Sequence, residues 1–135
     1  MIADTSALLA LFNRREPQHQ AVRDAYEANN ALLIVSPFVI AELDYLLLTR
    51  MGVPAELRGL RELASRAYEH AAFTDADIAS CADIVERYSD QAIGVTDASL
   101  VVLAERYRTT QILTLDHRHF SVLKPLAGGH FHVLP

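Results

Sequence analysis

Cysteine, lysine and long hydrophobic runs are scarce in this 135-residue sequence, and each scarcity limits what the protein can be. Cys81 is the single cysteine, so an intrachain disulfide is excluded. No apolar run approaches the roughly 20 residues of a membrane-spanning helix, and the N-terminus has neither the basic region nor the cleavage site of a signal peptide. We therefore expect a cytoplasmic protein without membrane association.

Low-complexity tracts and blocks of like charge are absent as well. Hydrophobic residues make up 51% of the chain and charged residues 21%, which favours one globular domain over residues 1–135. The formal net charge of −5 counts against a nucleic-acid-binding protein unless the acids are gathered in one place. Arginine greatly outnumbers lysine, which suits phosphate recognition, but a coding bias toward arginine is the first explanation.

Short apolar segments alternate with longer amphipathic ones, a pattern typical of α/β proteins with a parallel sheet covered by helices on both faces. The predicted strands are MIAD (1–4), ALLIV (31–35), a weak strand at 69–73, QILTL (111–115) and HFHVL (130–134). The predicted helices are 7–13, 18–30, 38–51, 54–67, 77–88 and 97–108, with a helical turn at 118–123. Ligands of such sheets bind beyond the carboxyl ends of the strands, which is where Asp4 and Asp116 fall.

Asp4 interrupts an otherwise apolar start, where it either caps the following helix or marks a site. The next two residues, Thr5 and Ser6, carry hydroxyl groups of the kind that cap helices well. We predict that one of them is the cap, which leaves the Asp4 carboxylate for another role.

Glu42 lies in a predicted helix whose other residues are nearly all apolar, and no cation stands three or four positions away. A partly buried carboxylate without a partner is costly, so we expect a metal ion or a distant arginine to compensate its charge. Asp44 on the same helix points about 200° away and is interpreted as ordinary surface.

Asp97 and Asp116 each stand at the start of a predicted helix or helical turn. Aspartate is a common cap there and is favoured by the helix dipole, so capping and metal binding explain each of them equally well. Asp90, in a nearby Ser-Asp loop, is interpreted as a turn or cap residue.

Four acids on separate elements would repel one another in a shared cleft unless a cation neutralised them. Oxygen ligands select Mg²⁺ or Mn²⁺. Such an ion lowers the pKa of an attacking water and neutralises a phosphodiester in the transition state. The acids therefore indicate metal-dependent phosphodiester hydrolysis, with in-line attack by water, although their spacing alone is not specific.

Four segments of the sequence resemble the PIN-domain ribonucleases, in particular the VapC toxins of bacterial toxin–antitoxin pairs. They are ADTSALLALF, SPFVIAELDYLL, YSDQAIGVTDASLVVLAERY and ILTLDHRHF, in the family's order and spacing. The resemblance implies a PIN-like three-layer α/β/α sandwich with a five-stranded parallel sheet. It implies that the hydroxyls of Thr5 and Ser6 support the site by orienting the first carboxylate or a bound water. It assigns catalysis and the binding of Mg²⁺ or Mn²⁺ to four carboxylates, those of Asp4, Glu42, Asp97 and Asp116.

The same resemblance implies site-specific cutting of structured RNA, either tRNA or rRNA, which would inhibit translation. It also implies a homodimer and inhibition by a VapB-type antitoxin within a larger complex. Residues 37–67 offer more apolar surface than one sheet face should bury. We therefore consider a groove for a partner helix, a dimer seam, or a helical hairpin that packs on itself.

Basic residues near the ends of these segments are candidates for contacting RNA phosphates. They are Arg14, Arg15, His117, Arg118 and His119. A zinc site at the histidines is disfavoured, because the chain does not repeat the ligand spacings that zinc sites use.

Two other functions compete with the nuclease. A phosphatase of the haloacid-dehalogenase type would use Asp4 as nucleophile, but it expects a second aspartate two residues later, where this chain has Ser6. A catalytically inactive PIN-fold binding module is disfavoured because all four acids are present.

Overall fold

The computed structural model describes all 135 residues, and its strands alternate with helices as predicted. The strands are β1 (Ile2–Ala3), β2 (Leu33–Val35), β3 (Tyr68–His70), β4 (Gln111–Leu113) and β5 (His132–Leu134). The helices are α1 (Thr5–Phe12), α2 (His19–Asn29), α3 (Pro37–Met51), α4 (Val53–Leu63), α5 (Asp75–Arg87), α6 (Val95–Arg106) and α7 (His117–Val122). A single 3-10 turn, Ser89–Gln91, lies between α5 and α6.

The five strands form one parallel sheet in the order β3-β2-β1-β4-β5. Successive residues of a strand point to opposite faces, yet every residue of β1 and β2 is buried. Both faces of the sheet are therefore covered by helices, which confirms the predicted α/β/α sandwich. Since β1 and β4 are neighbours, the segments that follow them leave the same edge of the sheet side by side.

Several helix boundaries follow from local chemistry that the sequence shows. Ser36 begins α3 by accepting a hydrogen bond from the backbone N–H of Phe38 at 3.2 Å. Gly52 ends the same helix with a φ of +83°, a conformation that favours glycine. Thr74 and Asp77 form a reciprocal capping box at the start of α5. The predicted end of the first of these helices at residue 51 is confirmed, while the starts predicted at residues 38 and 77 lie one and two residues after the observed starts.

The predicted cap of α1 is wrong. The helix begins at Thr5, so Asp4 occupies the cap position, and its Oδ1 accepts a hydrogen bond from the Thr5 N–H at 2.7 Å. Neither following hydroxyl caps the helix, because Thr5 Oγ1 donates to Glu42 and Ser6 Oγ donates to Asp4. Two smaller differences concern lengths: the weak strand ends at His70, and the helix predicted to reach residue 67 ends at Leu63.

Helices α3 and α4 form a hairpin that packs on itself, as one of the alternatives proposed. Gly59 of α4 makes this possible, because a Cβ there would overlap Leu47 of α3. The hairpin still leaves part of its apolar surface exposed, at Tyr45, Leu48, Val53, Leu57 and Leu60. No helix of the structure has both the length and the apolar character needed to cross a membrane.

Candidate active site

The carboxylate of Asp4 stands at the end of the central strand and is almost fully buried, with 5% of the residue exposed. Its Oδ1 accepts a hydrogen bond from the Thr5 backbone N–H at 2.7 Å. Its Oδ2 accepts hydrogen bonds from Ser6 Oγ and Thr114 Oγ1, both at 2.6 Å. Three donors therefore fix the orientation of this carboxylate, and its capping role does not exclude a second role in a site.

Thr114, which directly follows β4, connects two parts of the site that are distant in sequence. Its hydroxyl is fully buried, donates to Asp4 and accepts a hydrogen bond from the Asp116 backbone N–H at 2.9 Å. Ser6 Oγ makes a similar link, because it accepts a hydrogen bond from the backbone N–H of Leu115 at 2.9 Å. Sequence reasoning missed Thr114. The available signal was a hydroxyl at a strand end, two residues before a candidate acid.

Glu42 reaches the same place from α3, where its Oε2 accepts a hydrogen bond from Thr5 Oγ1 at 2.8 Å. The expectation that this carboxylate is partly buried is wrong, because Glu42 is exposed at the mouth of a cleft. No arginine forms an ion pair with it. The cleft interrupts the packing around α3, so an apolar helix carries an acid that water can reach.

Asp97 and Asp116 meet at the imidazole of His119. Nδ1 of His119 lies 3.1 Å from Oδ2 of Asp97 and 3.1 Å from Oδ2 of Asp116. Asp116 also caps α7 through its Oδ1, which accepts a hydrogen bond from the His119 backbone N–H at 3.0 Å. Asp97 makes no capping bond, because α6 begins after Gly94. Capping thus accounts for part of the role of Asp116 and for none of that of Asp97.

The charges of the four acids act on one another. Burial is the largest cause that raises the pKa of Asp97, from its usual value of 3.8 to about 6, and the imidazole of His119 partly opposes the rise. The carboxylates of Asp4, Asp116 and Glu42 raise this pKa further. A carboxylate that is unfavourable at neutral pH for these reasons marks a place where a cation would be bound favourably.

A cleft of about 410 Å³ holds this group of side chains. All four predicted acids line it, together with Thr5, Ser6, Arg50 and His119. The predicted basic contacts lie elsewhere. Arg14 and Arg15 line a larger neighbouring groove, and His117 and Arg118 are exposed on α7 outside the cleft. His119 lines the cleft with Nδ1 facing the carboxylates of Asp97 and Asp116, and its contact with RNA phosphate stays a prediction.

The carboxylate and hydroxyl oxygens of the cleft suit a hard divalent cation. No three Asp, Glu, His or Cys side chains are already arranged closely enough to hold a metal ion together. Mg²⁺ keeps several waters and needs only one or two carboxylates, so a complete protein cage is not required. A single imidazole is present and cysteine is absent from the cleft, which does not suit zinc.

Comparisons with known proteins agree with this geometry. The family model described as "PIN domain" matches residues 1–124. Ribonuclease VapC26 of Mycobacterium tuberculosis is 57% identical over 135 residues, which span the whole of both chains. The crystal structure of VapC20 from the same organism, described as a sarcin–ricin loop cleaving toxin, superposes with a TM-score of 0.85. It covers 99% of this chain and 98% of its own, at 18% identity. The chain therefore belongs to the PIN-domain family, and within it to the VapC ribonucleases.

Proposed function

We propose that this protein is a metal-dependent endoribonuclease that cuts structured RNA, either tRNA or rRNA, and so inhibits translation in the cytoplasm as the toxin of a toxin–antitoxin pair. The observation that carries the proposal is the convergence of Asp4, Glu42, Asp97 and Asp116 on one cleft. Residues 1–135 act as one domain. The phosphatase alternative lacks its second acid, since Ser6 stands at that position and its hydroxyl donates a hydrogen bond to Asp4.

Three of the four carboxylates of the cleft accept hydrogen bonds from different donors, whereas the close partner of Asp97 is the imidazole of His119, which Asp116 shares. Asp4 is fixed by three donors, Glu42 by the Thr5 hydroxyl, and Asp116 by the first turn of α7. When bound, Mg²⁺ or Mn²⁺ would lower the pKa of a water and neutralise charge on the phosphodiester. Asp97 has a raised pKa, so its carboxylate gains most from a nearby cation.

The α3–α4 hairpin supports the proposal of a protein partner. Five apolar side chains, at Tyr45, Leu48, Val53, Leu57 and Leu60, are between 38% and 65% exposed. An exposed apolar surface of this kind fits an amphipathic helix of a VapB-type antitoxin or a second copy of the chain. Light scattering of the purified protein, alone and with its antitoxin, distinguishes a homodimer from a larger heteromeric complex.

The activity is tested by incubating the purified protein with total RNA in Mg²⁺, in Mn²⁺ and in chelator, and mapping the ends of the fragments. We expect discrete cuts that need the cation, and the sarcin–ricin loop is the first rRNA segment to inspect because VapC20 is described as cleaving it. The matched control is Asp4→Asn, which keeps an acceptor at the cap of α1. Cuts that persist in Asp4→Asn, or that do not depend on a cation, would contradict the proposal.

A further inference from the structure

A second cavity adjoins the carboxylate cleft and has the opposite charge. It is a groove of about 1110 Å³ between the α1–α2 segment and the α3–α4 hairpin. Of the eleven arginines of the chain, five line it, at Arg14, Arg15, Arg23, Arg50 and Arg58. Its carboxylates are Glu27 and Glu62. A chain with a net charge of −5 therefore has a local surplus of positive charge here.

The arginines of this groove are mostly without ionic partners. Arg23 is paired with Glu27 at 2.7 Å. None of the other four has a carboxylate within 4.0 Å, and all four are exposed to solvent. Only Glu62 remains in the groove to oppose their charge. Guanidinium groups that are exposed, unpaired and close together attract a polyanion, and their planar donors match phosphate oxygens.

Arg50 connects the two cavities, because it lines both the groove and the carboxylate cleft. From this continuity we infer that the groove binds the RNA strand that flanks the cut phosphodiester, with Arg50 and Arg58 contacting its phosphates. The inference rests on the proposed function and specifies the path of the RNA strand across the protein surface. The strand leaves the carboxylates past the end of α3 and runs along α4.

An RNA strand fits this groove better than a segment of a protein partner does. The exposed apolar side chains of the hairpin, which a partner helix would cover, do not line the groove. On α4 the groove is lined by Ala55, Arg58, Gly59 and Glu62, whereas Val53, Leu57 and Leu60 face away from it. The hairpin thus has one basic face and one apolar face, which suits two different partners.

The test measures RNA binding separately from cleavage. A fluorescein-labelled single-stranded RNA is titrated in Mg²⁺ against Asp4→Asn protein, in which cutting is suppressed, with and without the added pair Arg50→Gln and Arg58→Gln. We expect the pair to weaken binding about tenfold at moderate salt. The slope of log affinity against log salt should become shallower by about 1.4, since each lost single-strand phosphate contact removes about 0.7. Arg87→Gln, an exposed arginine of α5 outside both cavities, should change neither quantity.

Three results would overturn the inference. The first is an unchanged salt slope in the Arg50 and Arg58 pair, and the second is an equal loss in Arg87→Gln. The third is tighter binding of poly-L-glutamate than of RNA of equal charge, which would make the groove a site for an acidic protein segment. If the pair fails to fold, Arg58→Gln alone should reduce the slope by about 0.7. Failure of the wild type to cut RNA, with the slope change intact, would refute the proposed nuclease and leave the groove as an RNA-binding surface.

Discussion

Replacement of Asp97 by asparagine should stabilise the protein when no divalent cation is present. The Asp97 side chain is 17% exposed, and its pKa is raised from 3.8 to about 6, first by burial and then by the neighbouring carboxylates. A rise of this size corresponds to about 3 kcal/mol by which the folded structure disfavours the charged form. Asparagine removes that charge. It also weakens the contact with His119, which costs about 1 kcal/mol, so the net gain at pH 7.5 is about 2 kcal/mol.

The pH dependence of this effect has a definite sign. A carboxyl whose pKa is raised by folding keeps its proton to a higher pH in the folded chain than in the unfolded chain. The folded protein therefore binds more protons between pH 3.8 and pH 6, and the free energy of unfolding falls as the pH rises through that window. Asp97→Asn has no such group, so its stability should fall less over the same range.

Urea denaturation in chelator and in Mg²⁺, followed by circular dichroism, measures both effects. At 100 times its dissociation constant, Mg²⁺ should add about 2.7 kcal/mol to the wild type and much less to Asp97→Asn. The order of stabilities should therefore reverse when the ion is added. Asp83→Asn, at an exposed position of α5 without an ion pair, should match the wild type in both buffers. If Asp97→Asn is the less stable protein in chelator, or if Mg²⁺ stabilises both proteins equally, the reasoning is wrong.

Three further substitutions test how the site is supported. Thr114→Val removes the hydroxyl that donates to Asp4 at 2.6 Å, and should cost about 2 kcal/mol in urea denaturation and reduce RNA cutting. Gly59→Ala should gain about 1 kcal/mol of helix propensity but lose about 2 kcal/mol to overlap with Leu47, so the melting temperature should fall. Thr74→Ala opens the capping box of α5 and should cost about 1 kcal/mol of stability without altering RNA cutting, because this helix end lies outside the cleft.

The sheet and the positions of the acids could be predicted because they depend on local patterns. Apolar strands without alternation indicate burial on both faces, and that pattern placed Asp4 and Asp116 at strand ends. Glu42 and Asp97 were candidates because of their apolar surroundings and helix start, and the resemblance to PIN-domain ribonucleases assigned all four acids to one metal site. The four acids were therefore predicted to share a cleft before any contact between their elements was known.

The contacts that hold the acids could not be predicted in the same way. The hydroxyl of Thr114 and the carboxylate of Asp4 are 110 positions apart, and they meet only because β1 and β4 pair. His119 faces the carboxylates because it lies three residues after Asp116 in the first turn of α7, close to Asp97 of α6, which the charge pattern of residues 117–119 does not show. For Glu42, the apolar neighbours on the helix suggested burial, but the sequence does not show that a cleft opens beside this residue.

The distribution of hydrogen-bond donors explains which of the carboxylates depends most on a cation. Asp4 receives one backbone N–H and two hydroxyl donors, so the hydrogen-bonding capacity of this buried carboxylate is satisfied by the protein itself. Asp97 has no such donors, and its one close partner is Nδ1 of His119, which Asp116 shares. The fold therefore stabilises the acid at the centre of the sheet by itself and leaves the acid on α6 incompletely compensated. A cation in the cleft would supply what Asp97 lacks, so Asp97→Asn should weaken metal binding.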